Sequence, residues 1–433
     1  MSLLTRFSEQ PADGKITLSY VVMVIILTIM IEGALPSIIY VSSRNTLWLV
    51  WAIFFTCIII LGLQLWLPRL IRPALPLVAW LTIYICWGTL AAPYPILASG
   101  LRLWFRFLCI IGAMAIVTSH PRRFRFFANA TQWGLLGNLL VTMWLISFPE
   151  YQQHPFFLRI NATLGSDRFA GLWGNANEAG LAALFLLVLS FWASRWIAWL
   201  GRISGVLIIY LTASRTAFWI AIMLALLYLI FAASKKRKVQ AVLVATVLLL
   251  FGVGFLSSSK GGGFSFIKES PTLSRVLDLS ESKTRERGEE SRMDLAKQWL
   301  PFIAREPWYG YGLYSAEGDE SKETLTRRGF PGQGTHNLYM ALFVDAGWVG
   351  LLTFLATIAF HISRTRQQPL EPSVHRMLFA LCFILLAFSL ANHQMLTDFT
   401  GWIGFSLLFL LPMSPALRDL DHFDSSLPPH GFR

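Results

Sequence analysis

The chain has 433 residues, 55% of them hydrophobic and only 14% charged, where a soluble domain carries about 25% charged residues. Its 17 Trp and 33 Phe sit among long apolar runs, more apolar surface than a soluble core of such low charge can cover, which excludes a soluble enzyme, a nucleic-acid reader and a disordered scaffold. The net charge of +12 reads in an integral membrane protein as basic cytoplasmic loops plus anion-binding arginines.

A hydrocarbon core of ~30 Å needs about 20 apolar residues per helix. Spans are predicted at 17–41, 46–66, 73–91, 103–118, 126–148, 171–193, 203–213, 216–233 and 239–257. The seventh is short and is expected to begin earlier, near Trp196. A polar stretch, 258–334, follows, and then spans at 335–360, 376–392 and 397–413. The expected fold class is an all-α integral membrane protein of about twelve transmembrane helices. It forms one polytopic domain over 1–433, with a helical insertion between the ninth and tenth helices. The polar start, MSLLTRFSEQPADGK, lacks a small-residue cleavage site after it, so an uncleaved first span is expected rather than a signal peptide. Cys57, Cys86, Cys109 and Cys382 lie inside apolar runs without metal-type spacing and read as small lipid-depth side chains.

Loop charge sets the expected orientation. With a cytoplasmic N-terminus, the inside segments carry Arg69 and Arg72, then Arg122, Arg123 and Arg125, Arg195 and Arg202, the run Lys235-Lys236-Arg237-Lys238, and Arg364, Arg366 and Arg376. The short outside loops carry only Arg44, Arg102, Arg159, Arg168 and Arg215. Both termini are therefore expected in the cytoplasm and the 258–334 insertion in the periplasm.

Polar groups at membrane depth are costly and call for a reason. On the outer side, Arg159 and Arg168 precede GLWGNANEAG (171–180), which places Asn175, Asn177 and Glu178 at the mouth of the sixth span. LTASRTA (211–217) puts Arg215 in a tight turn between two spans, and GTHNLYM (334–340) puts His336 and Asn337 at the start of the tenth. Each has a plain alternative: solvated loop charge for Arg159 and Arg168, helix capping for the asparagines and His336, snorkelling for Arg215. In the insertion, Met293, Ala296, Leu300 and Ile303 recur at helical spacing, and Arg292, Ala296, Trp299 and Ile303 share a face. This predicts an amphipathic helix on the membrane surface, with Pro301 as a kink or stop inside it and Pro307, Gly310 and Gly312 ending it.

Several arginines with one histidine suit transfer from a lipid-linked diphosphate. Guanidinium binds the leaving diphosphate through charge-assisted forks, and imidazole serves as general base near neutral pH. The competing way to hold the diphosphate is a metal on Glu317 and Asp319, in the run SAEGDESKE, which reads better as a solvated turn. The other ionisable groups at span depth, Glu32, Asp345 and Asp398, are few and scattered. That counts against a flippase or transporter, which needs polar residues along a mid-membrane path.

GLWGNANEAG, LTASRTA, SRMDLAKQWLPFI followed by PWYGYGL, and THNLYMALFVDAGWVGLL, in this order over about 165–352, resemble the O-antigen ligase and polymerase superfamily. The resemblance assigns importance to the Arg of the L-T-x-S-R turn, the Arg opening the insertion helix and the His of the HN pair, which fall here on Arg215, Arg292 and His336. It implies an inverting glycosyltransferase with neither metal nor other cofactor. His336 would be catalytic. The residue reading above adds Arg168 and Arg159 to Arg215 and Arg292 as diphosphate binders, with Asn337, Asn177 and Asn175 in support. The implied donor is O-antigen polysaccharide on undecaprenyl diphosphate and the implied acceptor is lipid A–core oligosaccharide. The place is the periplasmic face of the bacterial inner membrane, among membrane lipids and without nucleic acid. GNAN stands where many relatives have N-P-N, which weakens the use of Asn175. Ligase is the expected branch. A polymerase shares the donor chemistry, and protein O-oligosaccharyltransferases usually add a C-terminal domain, against about 20 residues after the last span here.

Overall fold

The computed structural model describes residues 14–32, 44–90, 97–148, 171–173, 175–212, 214–231, 292–313, 315, 329–331, 334–370, 372–392, 395 and 399–414. Among them every regular element is helical. The first eight spans meet helices in order: α1 (Leu18–Ile31), α2 (Arg44–Leu65), α3 (Leu75–Leu90), α4 (Leu97–Val117), α5 (Pro121–Ser147), α6 (Ala176–Leu189), α7 (Arg195–Thr212) and α8 (Arg215–Phe231). A short helix, Leu67–Ile71, and a 3-10 turn, Arg72–Ala74, lead into α3. α7 starts at Arg195, one residue before Trp196, because 203–213 alone is too short an apolar run. The ninth expected span lies outside the described residues. The insertion contributes α9 (Arg292–Arg305), and α10 (Leu338–Arg366), α11 (Pro372–Ser389) and α12 (Phe399–Leu410) follow.

By length and composition, Leu67–Leu90 and Leu338–Arg366 are each enough to cross a membrane. Leu101–Val117 and Pro121–Trp144, bent by 117° to one another, qualify as a pair, and the remaining apolar helices are shorter. α12 is apolar all round and is accordingly buried all round, from Thr400 to Leu410. It packs against α1, α4, α6 and α11 and forms the axis of the bundle.

Hydrogen bonds sort the helix ends into two groups. At one end the Tyr20 hydroxyl donates to the Arg123 carbonyl at 2.6 Å, Arg123 donates to Ser119 Oγ at 3.0 Å, and Ser414 Oγ donates to the Thr118 carbonyl. At the other end Trp173 Nε1 donates to the Ile31 carbonyl at 2.7 Å and Thr400 Oγ1 to the same oxygen at 3.4 Å. That second end holds the starts of α6, α8, α10 and α12.

The tenth element departs from the continuous span expected over 335–360. α10 is broken at Ala346 (φ −137°, ψ 16°) and Gly347 (φ 61°, ψ −155°). The segment Pro307–Leu313 enters the break. Tyr311 N–H donates to Val344 O at 2.7 Å, Gly312 N–H to Asp345 O at 2.9 Å, and Trp348 N–H to Pro307 O at 2.9 Å. Backbone groups that a broken helix leaves without partners are thereby satisfied by another piece of the chain. Both contact points require glycine. Gly310 has φ +70°, and a Cβ there would stand 2.6 Å from Val344 O and 2.7 Å from Ala346 N; Gly347 is pressed in the same way against the Trp308 carbonyl. Gly310→Ala should therefore destabilise the protein by at least ~1 kcal/mol, from crowding and left-handed backbone together. Thermal unfolding in detergent checks this, and an unchanged midpoint would mean that the docking contributes nothing to stability.

α9 also differs from expectation. Its buried face is Leu295 and Trp299, while Leu300 is exposed. Trp299 packs on Ala341 and Val344 of α10 and stacks on Phe330 at 5.7 Å. The apolar stripe thus serves protein packing, because partners distant in sequence cover it. Pro301 neither stops nor ends the helix, which runs on to Arg305. The carbonyl deprived of its donor is that of Lys297, whose side chain is exposed, so water can take over that bond. Burial pushes the Tyr311 phenol above its ordinary range, with Arg305 opposing. It stays protonated at neutral pH and donates to the Phe302 carbonyl at 3.0 Å, tying α9 to the segment in the break.

Candidate functional site

The site begins at three helix starts. Asn175 caps α6: its side chain accepts the Asn177 N–H at 2.9 Å. The capping alternative therefore describes Asn175, as the N-cap preference of asparagine leads one to expect. Asn177 is used differently. Its Oδ1 accepts from Ser214 Oγ at 3.1 Å, and that same hydroxyl oxygen receives the Ala217 N–H at 3.4 Å, capping α8. GLWGNANEAG and LTASRTA, separate in sequence, are joined by this bond. Arg215 is the first residue of α8 and is exposed. It adds a full charge where the helix dipole already presents a partial positive one.

The third start is that of α10. Asn337 caps it, accepting the Met340 N–H at 3.2 Å. Thr335 is buried, and its hydroxyl donates to the Asn337 carbonyl at 3.0 Å. His336 lies between them, half-buried, with φ +51°. A non-glycine residue in the left-handed region is uncommon, although His is among the types enriched there. Here the bonds on both sides fix it, and backbone held against preference clusters at functional sites.

α11 brings these starts together. α6, α8 and α10 all pack against it, and the hydroxyl of Tyr339, the second residue of α10, donates to Leu386 O in the last turn of α11 at 3.1 Å. Asn177, Arg215, His336 and Asn337 thus belong to one end of the bundle. Arg292 opens α9, which packs on the first part of α10. Arg159 and Arg168 lie outside the described residues, as do Glu317, Asp319 and Glu320. Among the described residues no three His, Cys, Asp or Glu side chains are placed to hold a metal ion.

Sequence reasoning passed over Ser214 and Thr335, whose signal is only that of a small hydroxyl beside a helix start. Glu32 and Asp345, scattered in sequence, lie at separate places in the structure, each with its own partner. Glu32 is buried beside Asn138, whose amide donates to the Glu32 carbonyl at 3.0 Å and to its carboxylate at 3.3 Å. Asn138 Oδ1 accepts the Leu172 N–H at 3.1 Å, which holds the turn Gly171–Trp173 just ahead of the Asn175 cap. Asp345 sits at the break of α10 and accepts from the Tyr84 hydroxyl at 2.7 Å.

The family model described as O-antigen ligase matches residues 200–355. The matched stretch contains Arg215, Arg292, His336 and Asn337 and runs past the break at Gly347. No curated protein matches the chain. The order of motifs, the helix starts gathered around α11 and the match over 200–355 agree, and over that segment the chain is similar to the O-antigen ligase family.

Proposed function

We propose that the protein is the ligase of this superfamily. It moves O-antigen polysaccharide from undecaprenyl diphosphate to a sugar of lipid A–core oligosaccharide, at the periplasmic face of the bacterial inner membrane. The observation that supports this reading is the placement of Arg215 and His336, both within the matched segment, at the starts of two helices that each pack on α11. In the proposed step a hydroxyl oxygen of the acceptor attacks the anomeric carbon. Its proton goes to the His336 imidazole, and the bond from the anomeric carbon to the diphosphate breaks with its electron pair on the leaving oxygen. Arg215, with Arg292, Arg168 and Arg159, neutralises that charge. One displacement inverts the anomeric configuration and needs no covalent enzyme intermediate.

A deletion strain tests the branch. A lost lipopolysaccharide ladder with accumulated long undecaprenyl-linked polymer is the expected outcome; accumulated single repeat units would mean a polymerase. Since arginines supply the positive charge, transfer in vitro should survive excess EDTA. Abolition with rescue by magnesium or manganese would transfer that role to Glu317 and Asp319. The loop charges support cytoplasmic termini and a periplasmic 258–334. Cysteines introduced at Ser282 and at Ser234 should then differ in spheroplasts, with an impermeant thiol reagent labelling position 282 alone. Labelling at 234 alone would invert the orientation and move the site to the other face.

A further inference from the structure

α3 and α10 are antiparallel neighbours whose relative level is fixed by two bonds. The Tyr84 hydroxyl donates to Asp345 and Trp80 Nε1 donates to the Gly350 carbonyl at 3.4 Å. From Arg69, in the short helix that leads into α3, to Trp87 of α3 and from Trp348 to Arg366 of α10 is the same number of residues. At 1.5 Å per residue each stretch is about 27 Å long, close to the ~30 Å of a hydrocarbon core. Both stretches carry arginine at one end and tryptophan at the other. Leu338–Arg366 taken as one span would be too long, at roughly 43 Å, and the break at Ala346–Gly347 divides it where the tryptophan falls.

The exposure pattern changes at the same point. None of the residues Leu338–Gly347 is exposed, whereas Trp348, Leu352, Leu355, Ala359 and Ser363 form an exposed stripe at helical spacing. The segment docked into the break adds Trp308, 62% exposed, and Tyr309, 55% exposed. The Tyr309 ring stacks on that of Trp87, with centroids 5.7 Å apart and planes 12° apart. Rings with an apolar body and a polar edge are what the boundary between hydrocarbon and headgroups selects.

We propose that Trp87, Trp308, Tyr309 and Trp348 form a band seated in the phospholipid headgroups of the outer leaflet, so that the hydrocarbon begins at the break of α10 and not at His336. Leu338–Asp345 and α9 then lie on the headgroup and aqueous side. His336 stands within about 16 Å of the hydrocarbon edge along the helix path, at a level open to the sugars of both substrates. This rests on the membrane reading of the chain given above.

Spin labels placed singly at 308, 348, 352, 355, 359 and 363, in protein with the exposed Cys86 replaced by serine, test it in vesicles of phosphatidylethanolamine and phosphatidylglycerol. All six sites are exposed, and only the label at 348 displaces a ring contact, that of Trp348 with Phe343. Collision with oxygen against collision with a water-soluble nickel complex reports depth. The expected profile puts 308 and 348 at headgroup level and the deepest labels at 355 and 359. A profile deepest at 348 and shallower toward 363 overturns the proposal by moving the boundary out to His336. A label at 308 reached by nickel alone, with 352 and 355 in lipid, overturns the headgroup role of the band. Labels out of lipid at every position would instead remove the membrane reading itself.

Discussion

Replacing His336 by alanine should slow transfer by about 10²–10⁴-fold, the usual contribution of a general base, while donor binding stays nearly normal. The structure narrows the alternatives. Capping α10 is the work of Asn337, which receives the Met340 N–H, so the cap survives the substitution. His336 is instead held in a left-handed conformation between two bonded neighbours, an arrangement that fixes the direction of a side chain rather than the integrity of a helix. A neutral imidazole takes up the hydroxyl proton and its protonated form cannot, so the rate should fall on the acid side as His336 protonates. The base assignment predicts that the substitution also removes this acid limb. Donor binding, measured apart from transfer, decides the matter: equal loss of both would make His336 a diphosphate ligand instead.

The helical framework was largely legible because burying backbone in apolar surroundings demands long apolar runs, and such runs survive in sequence whatever they pack against. The early start of α7 follows from length alone. The helix starts were legible for a similar reason, since Asn175 and Asn337 act locally. What could not be read was which distant segment satisfies a group. VDAGWVG interrupts the apolar run of α10 only at Asp345, and a lone glycine beside it does not by itself say that Gly347 breaks the helix. The break is stable because Tyr311, Gly312 and Pro307 supply its missing partners, and that pairing is tertiary. α9 shows the same limit. Helical spacing found the face holding Ala296, Trp299 and Ile303, but its cover is Ala341, Val344 and Phe330, not lipid. The bond from Ser214 to Asn177 is again a contact between motifs that sequence could place on one face but could not join.

That bond bears on the second large effect, expected at Arg215. Arg215→Ala should weaken donor use by roughly ten- to a hundredfold. A hydrogen bond to a charged group contributes about 1.5–3 kcal/mol, and each 1.4 kcal/mol is tenfold. Arg215→Lys should recover only part, because an ammonium keeps the charge and loses the planar fork that meets two phosphate oxygens together. The residue is well suited to such a comparison. It is exposed at the start of α8, so neither substitution empties a packed site, and folded yield should match the parent. Its backbone is set from the preceding position, where Ser214 caps α8 and is itself held by Asn177. Asn177→Ala should accordingly impair donor use less than Arg215→Ala, since it loosens the turn without removing the charge. The loss in Arg215→Ala should appear mainly as a higher donor concentration for half-maximal rate if the guanidinium grips the ground-state diphosphate. It should appear mainly in turnover if the grip tightens as charge develops on the leaving oxygen. Full activity in Arg215→Ala, at normal expression, would remove this residue from the site and leave the diphosphate to the other arginines.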